Sequence, residues 1–163
     1  MKPAFSNVLQ VAIVVKSVDD TVRTYADEYG MGPWQIWEFN DETVSDMIIR
    51  DEKKNYAMRI AAMNIGNVEW EIIEPLDDKS IYAEFLREHG EGLHHVAFKA
   101  ENFEESMKFF RDKGMIVEQG GNWCGQHVYV YLNSQKDLKV IAEIYNTQPG
   151  FKYPDPIEVY PSE

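Results

Sequence analysis

Residues 9–31 read LQVAIVVKSVDDTVRTYADEYGM, and residues 94–115 read HHVAFKAENFEESMKFFRDKGM. Aligned at an offset of 85, with one gap near the end, the two stretches share a pattern of residue types. Gln10 falls on His95, Val11 and Ala12 on Val96 and Ala97, and Asp19 and Asp20 on Glu104 and Glu105. Gly30 and Met31 fall on Gly114 and Met115. Each copy runs through an apolar strand, a turn, an acidic helix start, an amphipathic helix and a Gly-Met stop. Such a repeat is read before any single element because it sets the architecture.

Ser17 and Asn102 stand where they can cap the two helices. The acidic pairs that follow lie in the opening turns, where the helix dipole favours negative charge. Val18, Val22, Tyr25 and Tyr29 form the apolar stripe of the first helix, and Phe103, Met107 and Phe110 that of the second. Gly30 and Gly114 end the two runs. Three strand-like runs follow each helix: 33–39, 57–64 and 68–75, then 116–120, 127–132 and 138–145. β-branched and aromatic residues dominate them. The expected fold is α+β, with two tandem βαβββ modules forming one cupped mixed sheet around a metal cavity. A single domain over 1–163 divides into module one at about 7–76, a linker helix within 77–91, module two at about 92–146 and an extended tail at 147–163. Pro149, Pro154, Pro156 and Pro161 lead us to expect a tail draped on the surface.

Composition excludes several functions. Against 16 Lys plus Arg stand 28 Asp plus Glu, so the net charge is −12 and a phosphate backbone is repelled. No apolar run approaches the roughly 18 residues of a membrane span. Residues 1–7 lack the apolar core of a signal peptide. The lone Cys124 cannot form an internal disulfide, which points to the reducing cytoplasm, and it has no nearby partner that would activate it.

Polar residues interrupt four strands at places where burial is expected. They are Gln10 and Glu71 in module one, and His95 and Glu143 in module two. Alternation sets Gln10 on the face of Ala12 and Val14, and Glu71 on that of Ile73. An unpaired buried carboxylate costs several kcal/mol, so these groups must be paired, hydrated or metal-bound. Converging in one cavity, they form a mixed nitrogen and oxygen set suited to a divalent ion, Zn, Ni, Co, Mn or Fe. His95 alone would read as a core histidine; within the repeat-related set it reads as a ligand. His94 points to the opposite strand face and reads as structural. Glu69 and Glu74 read as solvated strand-end charges, and Trp70 as packing. His127 and Tyr129 share a face that could line the cavity or the outer sheet.

Two stretches carry a resemblance. Residues 69–76, EWEIIEPL, and residues 90–98, GEGLHHVAF, resemble strands of the vicinal oxygen chelate superfamily, closest to the branch of methylmalonyl-CoA epimerase and glyoxalase I. The resemblance spans about 7–146. It implies Gln10, Glu71, His95 and Glu143 as the metal ligands, with Gln10 replacing the histidine usual in epimerases. It implies chelation of substrate oxygens, a stabilised enolate and a proton moved next to a carbonyl. In some members a glutamate base lies near the position of Arg59, which cannot be a base at neutral pH. We therefore assign proton transfer to Glu71 and Glu143, and give Arg59 to a substrate anion or a salt bridge. Trp34, Trp37, Trp123 and His127 are the further candidate substrate contacts, and their rings favour a flat substrate.

The expected function is thus an epimerase- or racemase-like isomerase. Its substrate is a small carbonyl compound, with an aromatic one favoured, or an acyl-CoA such as methylmalonyl-CoA. The alternatives are a glyoxalase I-type lyase and a non-catalytic resistance protein that binds a small molecule. An extradiol oxygenase fits less well because of Gln10. No partner is needed to complete the cavity, and a homodimer is compatible with the resemblance.

Overall fold

The first strands of the two repeats lie side by side at the centre of the sheet. The computed structural model describes residues 5–162, so the ends of the expected span, 1–4 and 163, lie outside the described residues. The first half contains β1 (Val8–Val14), α1 (Val18–Arg23), β2 (Trp34–Phe39), β3 (Val44–Ile49), β4 (Glu52–Lys53), β5 (Met58–Ile65) and β6 (Val68–Pro75). Helix α2 (Ile81–His89) joins it to β7 (Gly92–Phe98), α3 (Phe103–Asp112), β8 (Val117–Trp123), β9 (His127–Leu132), α4 (Gln135–Leu138) and β10 (Ile141–Thr147). The tail ends in β11 (Glu158–Tyr160). The strands form one sheet in the order β11-β2-β5-β6-β1-β7-β10-β9-β8-β3-β4. Strands β1 and β7 are antiparallel, with Ala12 opposite His95. Each is flanked on its other side by the parallel last strand of its own repeat, β6 or β10.

The sheet is a curled half-barrel. Strands β2 and β3 lie on opposite flanks of the order, yet only residues 40–43 join them. The two flanks are therefore drawn together at this turn, and Val44 pairs with Trp123. Gly121 permits the closure. A Cβ there would sit 2.6 Å from the Val44 side chain and 2.8 Å from the Tyr129 hydroxyl, closer than any real Cβ contact.

The helices cover the outside and one end. Val18 and Val22 of α1 pack with Ala61 and Ile72, on the outer faces of β5 and β6. Met107 and Phe110 of α3 pack with Val130 and Ile144, on the outer faces of β9 and β10. Ser17 and Asn102 do cap their helices, accepting from the Asp20 and Glu105 amides. Helix α2, capped by Ser80, lies against β6, β1 and β7. Among the described residues no helix is long and apolar enough to cross a membrane.

Four features depart from the reading of the sequence. The first helix widens into a π-type turn over Thr24–Glu28, which breaks its periodicity and leaves Tyr29 69% exposed. The run at 138–145 begins as a strand only at Ile141, because α4 and a left-handed Lys139 precede it. Strands β3 and β4 add a segment with no counterpart in the second repeat. The tail is extended, but it crosses the mouth of the cup before pairing with β2 through β11.

Candidate functional site

Strand alternation decides which side chains reach the hollow of the sheet. The cavity is lined by Gln10 of β1, Glu69 and Glu71 of β6, Glu143 and Tyr145 of β10, and His127, Tyr129 and Tyr131 of β9. Trp37 and Phe39 of β2, Met58, Ile60 and Ala62 of β5, Trp123 of β8 and Tyr153 of the tail complete the wall. His95 is fully buried behind this lining, with the Tyr131 ring 4.7 Å from its own.

The four proposed ligands come together around the outer nitrogen of His95. Its Nε2 lies 3.1 Å from Glu143 Oε2, 3.3 Å from Gln10 Oε1 and 3.7 Å from Glu71 Oε2. Among the described residues, no three His, Cys, Asp or Glu side chains stand around one point as a finished metal cage. The donor set is mixed, with an amide oxygen in place and Glu71 the most distant member. The two shorter separations still match adjacent ligands of an ion bound at about 2.1 Å, which lie about 3.0 Å apart in an octahedron and about 3.4 Å apart in a tetrahedron.

Proton counting points the same way. His94 Nδ1 and His95 Nδ1 are 2.9 Å apart, so one of them donates to the other. Burial, helped by the neighbouring His95, pushes the His94 pKa well down and keeps that ring neutral. If His95 donates, its Nε2 presents a lone pair to three oxygens. Tyr145 supplies one hydroxyl proton to be shared between Gln10 Oε1 at 2.9 Å and Glu143 Oε2 at 3.1 Å. With Glu71 ionised, acceptors then outnumber donors in a buried space, and a cation corrects this where otherwise a proton on Glu71 must. Burial pushes the Glu71 carboxyl well up, and the charges of Glu143 and Glu69 push it further. The residues present therefore fit a divalent ion.

Several residues stand elsewhere than the sequence reading placed them. Glu69 is not a solvated strand-end charge. It shares the cavity face with Glu71, takes a 2.6 Å hydrogen bond from Gln10 Nε2, and is raised by burial. Glu74 is on the outer face and accepts from the Val18 amide at the start of α1. Trp34 is outside the cavity: it is wholly buried under the α1 segment, stacked on Tyr25 at 5.6 Å. Arg59 is also on the outer face, because Met58 and Ile60 take the inner one. It binds Asp19, Glu38 and Glu158 at 3.1, 3.1 and 2.9 Å. Trp37, Trp123 and His127 do line the cavity. Sequence reasoning missed Tyr145, although it sits two residues after Glu143 and so on the same face. It also missed Tyr131, two residues after Tyr129, and the whole contribution of Tyr153.

Comparison with known proteins agrees with this architecture. The chain is 30% identical over 139 residues to the uncharacterized protein YqjC of Bacillus subtilis (strain 168), covering 82% of this chain and 87% of that one. Its fold matches methylmalonyl-CoA epimerase from Mycobacterium tuberculosis with a TM-score of 0.66 at 18% identity, over 91% of this chain and 93% of that one. It also matches a Streptomyces coelicolor methylmalonyl-CoA epimerase variant, in complex with 2-nitronate-propionyl-CoA, with a TM-score of 0.65 at 21% identity, over 92% and 99%. At such identities the two structures speak for the fold. The family model matches residues 9–131, a stretch that takes in both repeat starts and most of the cavity strands, so the chain belongs to the glyoxalase/bleomycin resistance protein/dioxygenase superfamily.

Proposed function

We propose that the protein is a metal-dependent isomerase of epimerase or racemase type, moving a proton at the carbon next to a carbonyl. One observation carries this reading. Glu71 and Glu143 come from different repeats and both face His95 Nε2, at 3.7 and 3.1 Å. Gln10, Glu71, His95 and Glu143 would hold the ion. When bound, it supplies Lewis acidity that favours the enolate form of a carbonyl substrate.

The chain's own residues handle the proton. Glu71 and Glu143 approach from β6 and β10, on either side of the central pair of strands. One carboxylate takes the proton and the other returns it, so the two faces of a planar intermediate are both served. Tyr145 steadies Glu143 and Gln10 through its hydroxyl. Glu69 holds the amide of Gln10 so that its oxygen faces the centre. The aromatic wall excludes water, which strengthens every electrostatic interaction inside.

Deuterium wash-in from heavy water into the α-position of a panel of ketones and thioesters tests the reading. The wild type exchanges at least one panel member. Glu143→Gln removes the base and lowers the rate by at least about a thousandfold, within the range of general-base loss. Near-full exchange by Glu143→Gln overturns the two-carboxylate scheme. Gln10 at the first ligand position favours the glyoxalase-type lyase as second reading. That activity converts a 2-oxoaldehyde and a thiol to a thioester, which adding both compounds to the panel distinguishes by product.

A further inference from the structure

The tail forms one wall of the cavity, and Tyr153 divides that cavity from an outer cleft. On the inner side, the space open to the centre of a water molecule is about 30 Å³, roughly enough for two waters. On the outer side lies a cleft of about 350 Å³, bordered by Leu9, Asn64, Thr147 and Phe151. Gln10, Glu69, His127, Tyr145 and Tyr153 line both spaces. Among the described residues, no Lys or Arg lines either one.

Tyr153 is held by rings. It lies 5.0 Å from Trp123 and 5.6 Å from Trp37 between centroids, and 5.8 Å from Phe151. Phe151 stacks on His127 at 5.4 Å and 14°. The tail is anchored on both sides of Tyr153. The Gln148 amide donates to Gln126 O, and the Ile157 amide donates to Ile36 O just before β11 pairs with β2. Between these anchors Trp37 Nε1 donates to Pro154 O at 2.9 Å. Pro154 and Pro156 have no amide proton to add. A short stretch with so few backbone bonds and solvent on one side belongs to the low-stability end of a fold.

We infer that Tyr153 is the specificity-determining gate of this cavity: it admits a compact, flat, uncharged aromatic ketone with a neighbouring oxygen and excludes an acyl-CoA. The inference deepens the isomerase reading and rests on it for the inner end of the ligand. The oxygens enter the polar floor beside Gln10 and Glu143. The flat body takes the place between Trp37, Trp123 and His127 that the displaced Tyr153 ring leaves, and closes against Phe151. Offset and edge-on ring contacts reward an aromatic body there. A CoA thioester must instead thread its chain past Tyr153 and bring its phosphates up to a protein of net charge −12, with no Lys or Arg in the cleft lining among the described residues and only the exposed Lys152 beside Tyr153 in sequence.

The test titrates the full chain, supplied with Co²⁺, with 2-hydroxyacetophenone and separately with methylmalonyl-CoA, followed by calorimetry. The wild type binds the aromatic ketone and gives no heat with the thioester. Tyr153→Ala, which has no ring to displace, binds the ketone no more weakly than the wild type and gains measurable affinity for the thioester. Tyr153→Phe keeps the wild-type preference. Phe151→Ala, which removes the ring that closes on the ligand, binds the ketone at least tenfold more weakly and tests the inference should Tyr153→Ala fail to fold. The inference is overturned if the wild type binds methylmalonyl-CoA, if neither probe binds, if Tyr153→Ala still excludes the thioester, or if Phe151→Ala matches the wild type. Deuterium exchange on the same samples separates the two claims. A ketone that binds without α-exchange removes the isomerase reading and keeps the gate. Exchange of methylmalonyl-CoA by the wild type does the reverse.

Discussion

The floor and the mouth of the cavity are built from different kinds of sequence. The floor comes from the repeated strands: Gln10 and Glu71 from one copy, His95 and Glu143 from the other. The mouth combines rings carried by the strands, Trp37, Trp123 and His127, with segments that have no repeat partner: the excursion at 40–53 that closes the flanks and the tail from Gln148 onward. The floor is polar and internally bonded. The mouth is a set of rings around Trp123. Duplication thus accounts for a symmetric pair of acids, whereas the unrepeated segments break that symmetry and control what reaches them.

The largest effect that tests this division is on stability. Trp34 and Trp37 are three residues apart on β2, but alternation and the strand's twist send one under α1 and the other to the mouth. Trp34→Ala leaves a wholly buried void and costs about 3–5 kcal/mol. Urea denaturation reads that loss, and calorimetry on the folded fraction shows metal affinity unchanged. A drop in metal affinity without a drop in stability would return Trp34 to the cavity.

A somewhat smaller effect isolates the floor. His95→Ala removes the nitrogen on which the oxygens converge, and lowers Co²⁺ affinity at least a hundredfold, about 2.7 kcal/mol. His94→Phe keeps the bulk beside Tyr82 and Phe85 but removes the Nδ1 partner of His95. Loss of such a supporting hydrogen bond typically costs about 10–100-fold in metal affinity. Calorimetric titration with Co²⁺ ranks the three proteins. Equal affinity in wild type and His95→Ala would move the ion elsewhere.

Acid–base linkage gives the next effect, and its sign is definite. Burial and the charges of Glu143 and Glu69 raise Glu71 well above the ordinary carboxylate range. The metal-free native state therefore holds a proton that the unfolded chain has released. Its contribution to stability is whole below the ordinary carboxylate pKa and is lost as pH rises towards the raised one. The Tm of the metal-free wild type should fall with rising pH relative to Glu71→Gln, and added Co²⁺ should reverse the trend. Parallel Tm profiles for the two proteins would contradict the assignment.

The floor was legible in the sequence because two rules cooperate there. The repeat aligns Gln10 with His95, and a carboxylate within an apolar strand demands a partner. Parity along the strand was equally available for Tyr145 and Glu69, each two residues from a named ligand. It also places Arg59 outward, since Met58 and Ile60 must face in. The mouth was legible only in its strand rings, Trp37, Trp123 and His127. The short hairpin at Val44–Lys53 carries exposed polar residues and left-handed Asp46, Arg50 and Asp51, so no clean alternation announces it. The tail's proline content predicts extended backbone, but only tertiary contacts decide that Tyr153 turns inward. The π-type turn is invisible for the same reason, because Tyr25 and Tyr29 fit an ordinary helical stripe.

Arg59 provides the smallest effect and the sharpest boundary between inside and outside. Its side chain is 15% exposed, but its three carboxylate partners are 44–50% exposed. Water and salt screen most of their attraction, so Arg59→Met costs about 1 kcal/mol or less. The loss should shrink further in high salt, which urea denaturation at two ionic strengths detects. Glu158 is freed, but β11 keeps its backbone pairing with β2 and the tail stays anchored. Ligand affinity and α-proton exchange should therefore match the wild type within twofold. A tenfold fall in either, at unchanged stability, would show that Arg59 reaches the substrate after all and that the sheet does not stand between them.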